Sequence, residues 1–329
     1  RHRARLMRVL LTSGTGPIAL AVARRLVRGG DRVVAVVRDP DSAVELIDLG
    51  VELRVGDLSR TAAIVDVLRG CEGAVHLAAD DRVGVAASDR PAMLEANVGV
   101  THRVLDAVSV ARLERLVYVS TVGIFGDTLG RIVDERHRRD LAYGFLSHAD
   151  ETRFLAHRAV EERQAAGDPI VVVLPGDIYG SDDHSAVGRL LRGAFDGTLR
   201  YLSMTDTGIS AVHADDVASG ILAALDRGRP REAYILGGEN IRLLEALRVA
   251  ARLSGRPLPR LAIPTGLMRL GARMPAALAR TLDLPEAPGE VVRTRLGVTH
   301  WASSAKAATE LGYVPRDLAS GLRAAFDEG

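Results

Sequence analysis

The sequence predicts an α/β protein: a doubly wound parallel sheet followed by a smaller, mostly helical C-terminal lobe. Three observations carry this. Over the first 175 residues, short β-branched runs alternate with longer helix-like stretches. The first run ends in a glycine-containing turn that opens a helix-like stretch. After Pro175 this rhythm changes.

The predicted strands, in order, are RVLLTS (8–13), RVVAVV (32–37), VELRV (51–55), GAVHLA (73–78), RLVYVS (115–120) and IVVVL (170–174). They read as buried strands covered on both faces. Between them lie amphipathic stretches such as IALAVARRLVRGG, where Gly29 and Gly30 supply a helix stop, and EANVGVTHRVLDAVSVARL. Strand–helix alternation implies right-handed crossovers in a parallel sheet. Beyond Pro175, SAVGRLLRGAF and AVHADDVASGILAALDRG read as helices and EAYILGG as one more strand. From Asn240 onward the pattern is mostly helical. The predicted division is a sheet domain over 7–176 plus about 212–237, and a lobe over about 177–211 and 238–329.

Composition narrows the partners. With 43 basic and 42 acidic residues among 329, no single-sign surface is implied, and nucleic acid is not expected as a partner. The single cysteine, Cys71, cannot form an internal disulfide, which fits a reducing, cytoplasmic setting. No apolar run reaches spanning length, so no membrane association is expected. The basic start RHRARLM reads as a disordered leader or an expression remnant, with Met7 fitting a true start. No His/Cys/Asp cluster has metal-ligand spacing, and no G-x-S-x-G elbow follows a strand.

The first turn is the clearest chemical signal. Thr12-Ser13-Gly14-Thr15-Gly16-Pro17-Ile18-Ala19 contains G-x-G-x-x-A between strand and helix. Glycines there let the backbone approach a pyrophosphate, and the helix start aims amide hydrogens at it. Pro17 suits a first helical turn, where its missing N–H costs little. The same sequence also fits a tight turn with no ligand. At the tip of the second strand an acid would bond the ribose hydroxyls of NAD(H); Arg38 instead suits the 2′-phosphate of NADP(H). A solvated surface arginine is the alternative.

Together these segments resemble the extended short-chain dehydrogenase/reductase family, a Rossmann-fold group, and in particular its dihydroflavonol-reductase-like and epimerase/dehydratase-like branch. The resemblance implies a small-molecule substrate and a nicotinamide cofactor, NADP(H) by preference, with NAD(H) as the second choice. It implies that Asp57 and Leu58, in VELRVGDLSR, lie by the adenine, and that Leu77, Ala78 and Ala79 pass over the cofactor. Asn97 supports the active site, Thr121 of YVSTVGIFG is the catalytic hydroxyl, and Pro175 and Ile178 of VLPGDIYG lie beside the nicotinamide. VHADDVA, YILGGEN and KAATELGYVPR are similar to the family's C-terminal signposts. Dimerisation through helices at 90–110 and 150–166 is a further implication.

Two positions depart from the family pattern. The glycine loop T-G-x-x-G-x-x-G reads Thr12-Ser13-x-x-Gly16-x-x-Ala19. The helix that carries Tyr-x-x-x-Lys reads Ser147-His148-Ala149-Asp150-Glu-Thr152-Arg153, and the only lysine of the chain is Lys306. Ala149 stands at the tyrosine position and Arg153 at the lysine position. Arg153 can present fixed charge and bond ribose oxygens, but it cannot shuttle a proton. Substitute donors near the vacancy are His148, Asp150 and Tyr179, with His184, His213 and Asp80-Asp81-Arg82 also in the region. One residue of shift turns a helical side chain by about 100°, so His148 and Asp150 point away from the direction of residue 149. Three functions stay open: a reductase or epimerase with a rearranged acid–base set, a non-redox cyclase, dehydratase or isomerase, and a non-catalytic nucleotide-binding regulator.

Overall fold

The computed structural model describes residues 6–12, 16–56, 58–77, 80–181, 183, 185–271 and 288–327. Its central sheet contains β1 (Arg8–Leu11), β2 (Arg32–Val37), β3 (Glu52–Val55), β4 (Gly73–His76), β5 (Arg115–Val119) and β6 (Ile170–Pro175). After β7 (Asp177–Tyr179) and β8 (Gly208–His213) come its seventh strand, β9 (Ala233–Leu236), and then β10 (Glu239–Arg242). The sheet order is β3-β2-β1-β4-β5-β6-β9, parallel throughout. The chain reverses its winding between β1 and β4, which opens a crevice at the carboxyl ends of those strands.

Helices α1 (Pro17–Arg28), α2 (Val44–Asp48), α3 (Thr61–Leu68), α4 (Arg90–Leu94), α5 (Val100–Ala111) and α6 (His148–Ala165) belong to the crossovers. They are followed by α7 (Ala186–Asp196), α8 (Ala214–Arg227) and α9 (Leu243–Leu253). The two-residue period of β5 divides its side chains between two cores. Val117 packs with Val22 and Ile221 on one face, and Leu116 and Tyr118 pack with Leu105 and Val160 on the other. Helix α8 lies so close to β9 that a Cβ on Gly220 would sit 2.6 Å from the Leu236 side chain.

Three sequence expectations are corrected. VELRV is not covered on both faces: β3 is the sheet edge, and Glu52, Arg54 and Val55 are exposed. AVHADDVASGILAALDRG is not one helix: residues up to His213 complete β8, and the His213 ring accepts the Asp215 amide to cap α8. The mostly helical stretch starts at Leu243 rather than Asn240, which lies in β10, antiparallel to β8. Strands β10, β8 and β7 form a small second sheet. With α7, α9 and the helix Leu318–Phe326 it encloses a third core around Tyr179, Leu191, Leu247 and Leu322.

Gly176 joins the two sheets. A Cβ there would meet the Ser210 carbonyl oxygen at 2.2 Å, so only glycine lets the β6–β7 junction approach β8 this closely. The segment 298–303 is held from two sides. Gly208 donates its amide to Val298 O at 2.8 Å, and the His300 amide donates to Gly208 O at 3.0 Å. On the other side Thr128 and Val133 donate to Thr299 O and Trp301 O. This stretch of the lobe is thereby laid over the end of β5.

Candidate active site

Two adjoining cavities lie at the carboxyl ends of the strands. The larger, about 500 Å³, runs from Gly16, Pro17 and Ile18 past Leu77 to Thr121 and Arg153, with Pro175 and Ile178 on its wall. The smaller, about 120 Å³, is lined by Thr121, Ala149, Arg153 and His300 among others. Both share Asp81, Thr121, Arg153, Gly176, Asp177 and Arg295.

The large cavity fits a dinucleotide. A Cβ at Gly16 would meet no atom of the described residues within 4 Å, and the first turn of α1 lines the cavity. Its amide hydrogens and positive dipole end are therefore available to an anion. Ser13, Gly14, Thr15, Asp57, Ala78, Ala79 and His184 lie outside the described residues. Thr12 is placed beneath the cleft rather than on its wall. Its hydroxyl oxygen is 2.7 Å from His76 Nδ1 and accepts the Leu77 amide at 3.2 Å, stitching β1 to β4. Burial pushes the His76 imidazole down to about 4, so this ring is neutral. Leu58 likewise turns to the apolar layer, and its carbonyl accepts from Arg103 Nε at 2.6 Å. Arg38 is exposed just past the end of β2.

Asn97 sits in a π-turn between α4 and α5 and is buried. Its Nδ2 donates to Thr152 Oγ1 and to Asp80 O, both at 2.9 Å, and its Oδ1 accepts the Asp80 amide at 2.6 Å. It therefore ties the loop after β4 to α6. A second tie lies behind β5: Ser120 Oγ is 3.0 Å from His157 Nδ1, and His157 Nε2 is 3.7 Å from Glu161. These two attachments fix the height of α6 against Thr121. The Thr121 hydroxyl oxygen accepts the Gly123 amide at 3.1 Å, which leaves its proton to donate into the cavity.

Helix α6 opens with Ser147 as its cap, accepting the Asp150 amide at 3.1 Å. Ala149 is buried and lines the small cavity, where its methyl group leaves room. Arg153, one turn on, reaches both cavities and pairs with Asp81 at 3.2 Å.

The expected substitute donors are placed elsewhere or already engaged. His148 turns outward, its Nδ1 3.3 Å from Glu151 and its Nε2 3.1 Å from Arg90 O. Asp150 lines the small cavity, but its two oxygens each accept from Arg139 at 2.7 Å, and Oδ2 also accepts the Leu146 amide. Tyr179 does not reach the cleft. Its ring packs edge-on against His213, its hydroxyl crowds Gly321, and burial drives its pKa far up. His213 is spent on capping α8. The helical turn of about 100° explains His148, the Arg139 pair explains Asp150, and for Tyr179 β7 turns that side chain into the core of the lobe.

The structure adds residues that the sequence pattern did not mark as site residues: Asp177, Arg295 and His300. Arg295 pairs with Asp177 at 3.2 Å across the cavity. No local motif surrounds His300; it lies six positions ahead of the recognisable KAATELGYVPR.

Comparison with known proteins agrees with this geometry. The chain is 29% identical over 320 residues to the putative dihydroflavonol 4-reductase of Synechocystis, covering 92% of this chain and 88% of that one. It is 30% identical over 318 residues to 4-hydroxy-2-methyl-3-oxo-4-farnesyl-3,4-dihydroquinoline-1-oxide ketoreductase of Stigmatella aurantiaca, covering 94% and 92%. The crystal structure of gox2253 matches with a TM-score of 0.81 at 30% identity, covering 96% of each chain. With the model of the NAD dependent epimerase/dehydratase family matching residues 9–237, the glycine turn, the switch-point crevice and the Thr121 strand place this chain in that family of nicotinamide-dependent reductases and epimerases.

Proposed function

We propose that this protein is an NADP(H)-dependent oxidoreductase acting on the carbonyl–alcohol pair of a small, uncharged molecule, with an acid–base set different from Tyr and Lys. The observation that supports it is the wall shared by the two cavities, with Thr121 and Arg153 on both. Gly16, Pro17, Ile18, Leu77, Pro175 and Ile178 on the wall of the large cavity would hold a nicotinamide cofactor, which would supply or accept a hydride. Thr121 donates a hydrogen bond to the substrate oxygen and orients it. Arg153 contributes fixed positive charge beside the ribose.

The charge balance of the small cavity favours an uncharged substrate over a nucleotide sugar. Its arginines are already neutralised, Arg153 by Asp81 and Arg295 by Asp177. Neither arginine on its wall is left without a carboxylate for a second diphosphate. A non-redox cyclase, dehydratase or isomerase is the second reading, favoured by the space that Ala149 leaves for a bulky ligand. Mass spectrometry of nucleotide released on denaturation, followed by calorimetry with NADP(H) and NAD(H), tests the proposal. Binding in the micromolar range is expected; no binding of either at millimolar concentration would remove the oxidoreductase reading.

A further inference from the structure

Every titratable side chain on the wall of the small cavity but one is engaged. Asp81 is held by Arg153, Asp150 by Arg139, and Asp177 by Arg295. The exception is His300. Its ring nitrogens have no hydrogen-bond or ion-pair partner among the described residues, and the side chain lines the cavity. Its backbone, in contrast, is fixed through Gly208 on one side, while its neighbour Thr299 is tied to Asp127 by two bonds of 3.0 and 3.1 Å. A rigidly mounted imidazole thus opens onto the same space as Thr121 and the methyl group of Ala149.

We propose that His300 exchanges the proton with the substrate oxygen, taking the part that Ala149 cannot play. This rests on the oxidoreductase reading above. In the reductive direction the carbonyl carbon gains a hydride from the reduced nicotinamide, which is thereby oxidised. The π pair of the C=O bond passes to the oxygen, and that oxygen takes the proton of the His300 imidazolium. Neutral imidazole is left, and it regains a proton from water. In the oxidative direction neutral His300 removes the alcohol proton as the hydride leaves carbon. Thr121 holds the oxygen in both directions.

The surroundings of the ring set its proton affinity. Asp177 faces it from β7, Arg295 from the helix Pro288–Arg295, Asp150 from α6 and Asp127 from the loop after β5. The three carboxylates pull the imidazole pKa up and the arginine pushes it down, but burial outweighs them and the net direction is down. The neutral form therefore predominates at neutral pH. Alcohol oxidation should rise, and ketone reduction fall, as pH climbs through the lowered pKa.

The test uses the whole protein with NADPH and 2,2,2-trifluoroacetophenone as the probe ketone. His300→Gln and His300→Ala should lower turnover by about 10²- to 10⁴-fold, the usual worth of a positioned proton donor. Both should bind NADP⁺ within about twofold of wild type, because His300 lies off the large cavity. The pH dependence should vanish in both, and added imidazole should partly restore His300→Ala. Wild-type turnover that survives both substitutions with its pH profile intact would overturn the proposal while leaving the oxidoreductase reading in place. A second readout needs no turnover. With ring-¹³C-labelled histidine, the resonance absent from His300→Gln should titrate below the ordinary histidine range and move when ketone is added to the NADP⁺-bound protein. A ketone-insensitive resonance overturns the role of His300. Failure of wild type to bind either nucleotide overturns the oxidoreductase reading instead.

Discussion

Arg139 and Asp150 form a bidentate pair at the mouth of the small cavity, with two N···O distances of 2.7 Å and almost no exposure of the arginine. The guanidinium also stacks 4.6 Å above the Phe145 ring. The pair joins the loop ahead of α6 to its first turn, and so sets the position of Ala149 and Arg153. It also explains why a carboxylate one residue from the vacancy does not fill it.

Breaking that pair should cost more than the pair itself is worth. Arg139→Leu leaves the mostly buried Asp150 side chain without its partner, and a loss of about 3–5 kcal/mol is expected. Arg139→Leu with Asp150→Leu should recover much of it. Urea unfolding of the two variants checks this; equal loss in both would show that packing on Phe145, not charge, dominates.

The space beside Ala149 can be filled. Ala149→Tyr with Arg153→Lys should shrink the small cavity and leave the glycine turn untouched. Turnover of bulky ketones should fall at least tenfold, whereas small aldehydes gain weak reduction. Steady-state kinetics over a size series of carbonyls reads this directly. Unchanged discrimination by size would mean that the cavity is not where substrate binds.

Arg38 is exposed at the tip of β2. Arg38→Ala should weaken NADP⁺ by about 1.5–3 kcal/mol, roughly ten- to a hundredfold, as expected for a charge-assisted bond. NAD⁺ lacks the extra phosphate and should bind as before. Paired calorimetric titrations separate the outcomes, and equal loss for both nucleotides would make Arg38 structural.

His76 predicts a pH-dependent stability. Its folded pKa, about 4, lies below the ordinary value of 6.5 because burial disfavours the charged ring. The unfolded chain therefore binds a proton that the folded one does not. Stability is complete above about pH 6.5 and declines as pH falls towards 4, by roughly 3 kcal/mol at about 1.4 kcal/mol per pKa unit. Chemical denaturation of wild type and His76→Asn across this window measures it. A parallel slope in both proteins would assign the acid sensitivity to other groups.

Much of the scaffold was legible because its signals are local. A continuously apolar run such as IVVVL, short and β-branched, reads as a strand covered on both faces, and Ile170–Leu174 is buried throughout. Gly14 and Gly16 between a strand and a helix mark the crevice before any contact is known. That residues 149 and 153 are alanine and arginine is likewise a fact of sequence; that they stand at the family's Tyr and Lys positions is what the resemblance implies. Short elements were harder. AVH preceding ADDVASG carries helical neighbours, and only pairing with β7 and β10 makes it part of β8. VELRV is apolar enough for a core strand, yet it is an edge because nothing pairs beyond it.

The site itself divides along the same line. Sequence alone determined which residues α6 carries. The tertiary structure decided which side chains face the space left behind. His148 and Asp150 are near in sequence and Tyr179 lies in a segment expected by the cleft, but helical rotation, the Arg139 pair and the direction of β7 remove them. His300 is remote in sequence and reaches the cavity only because 298–303 is clamped between β8 and the loop after β5. Side-chain direction within one element follows from its period; proximity between distant segments follows from hydrogen-bond pairing and packing, which no single stretch of sequence records.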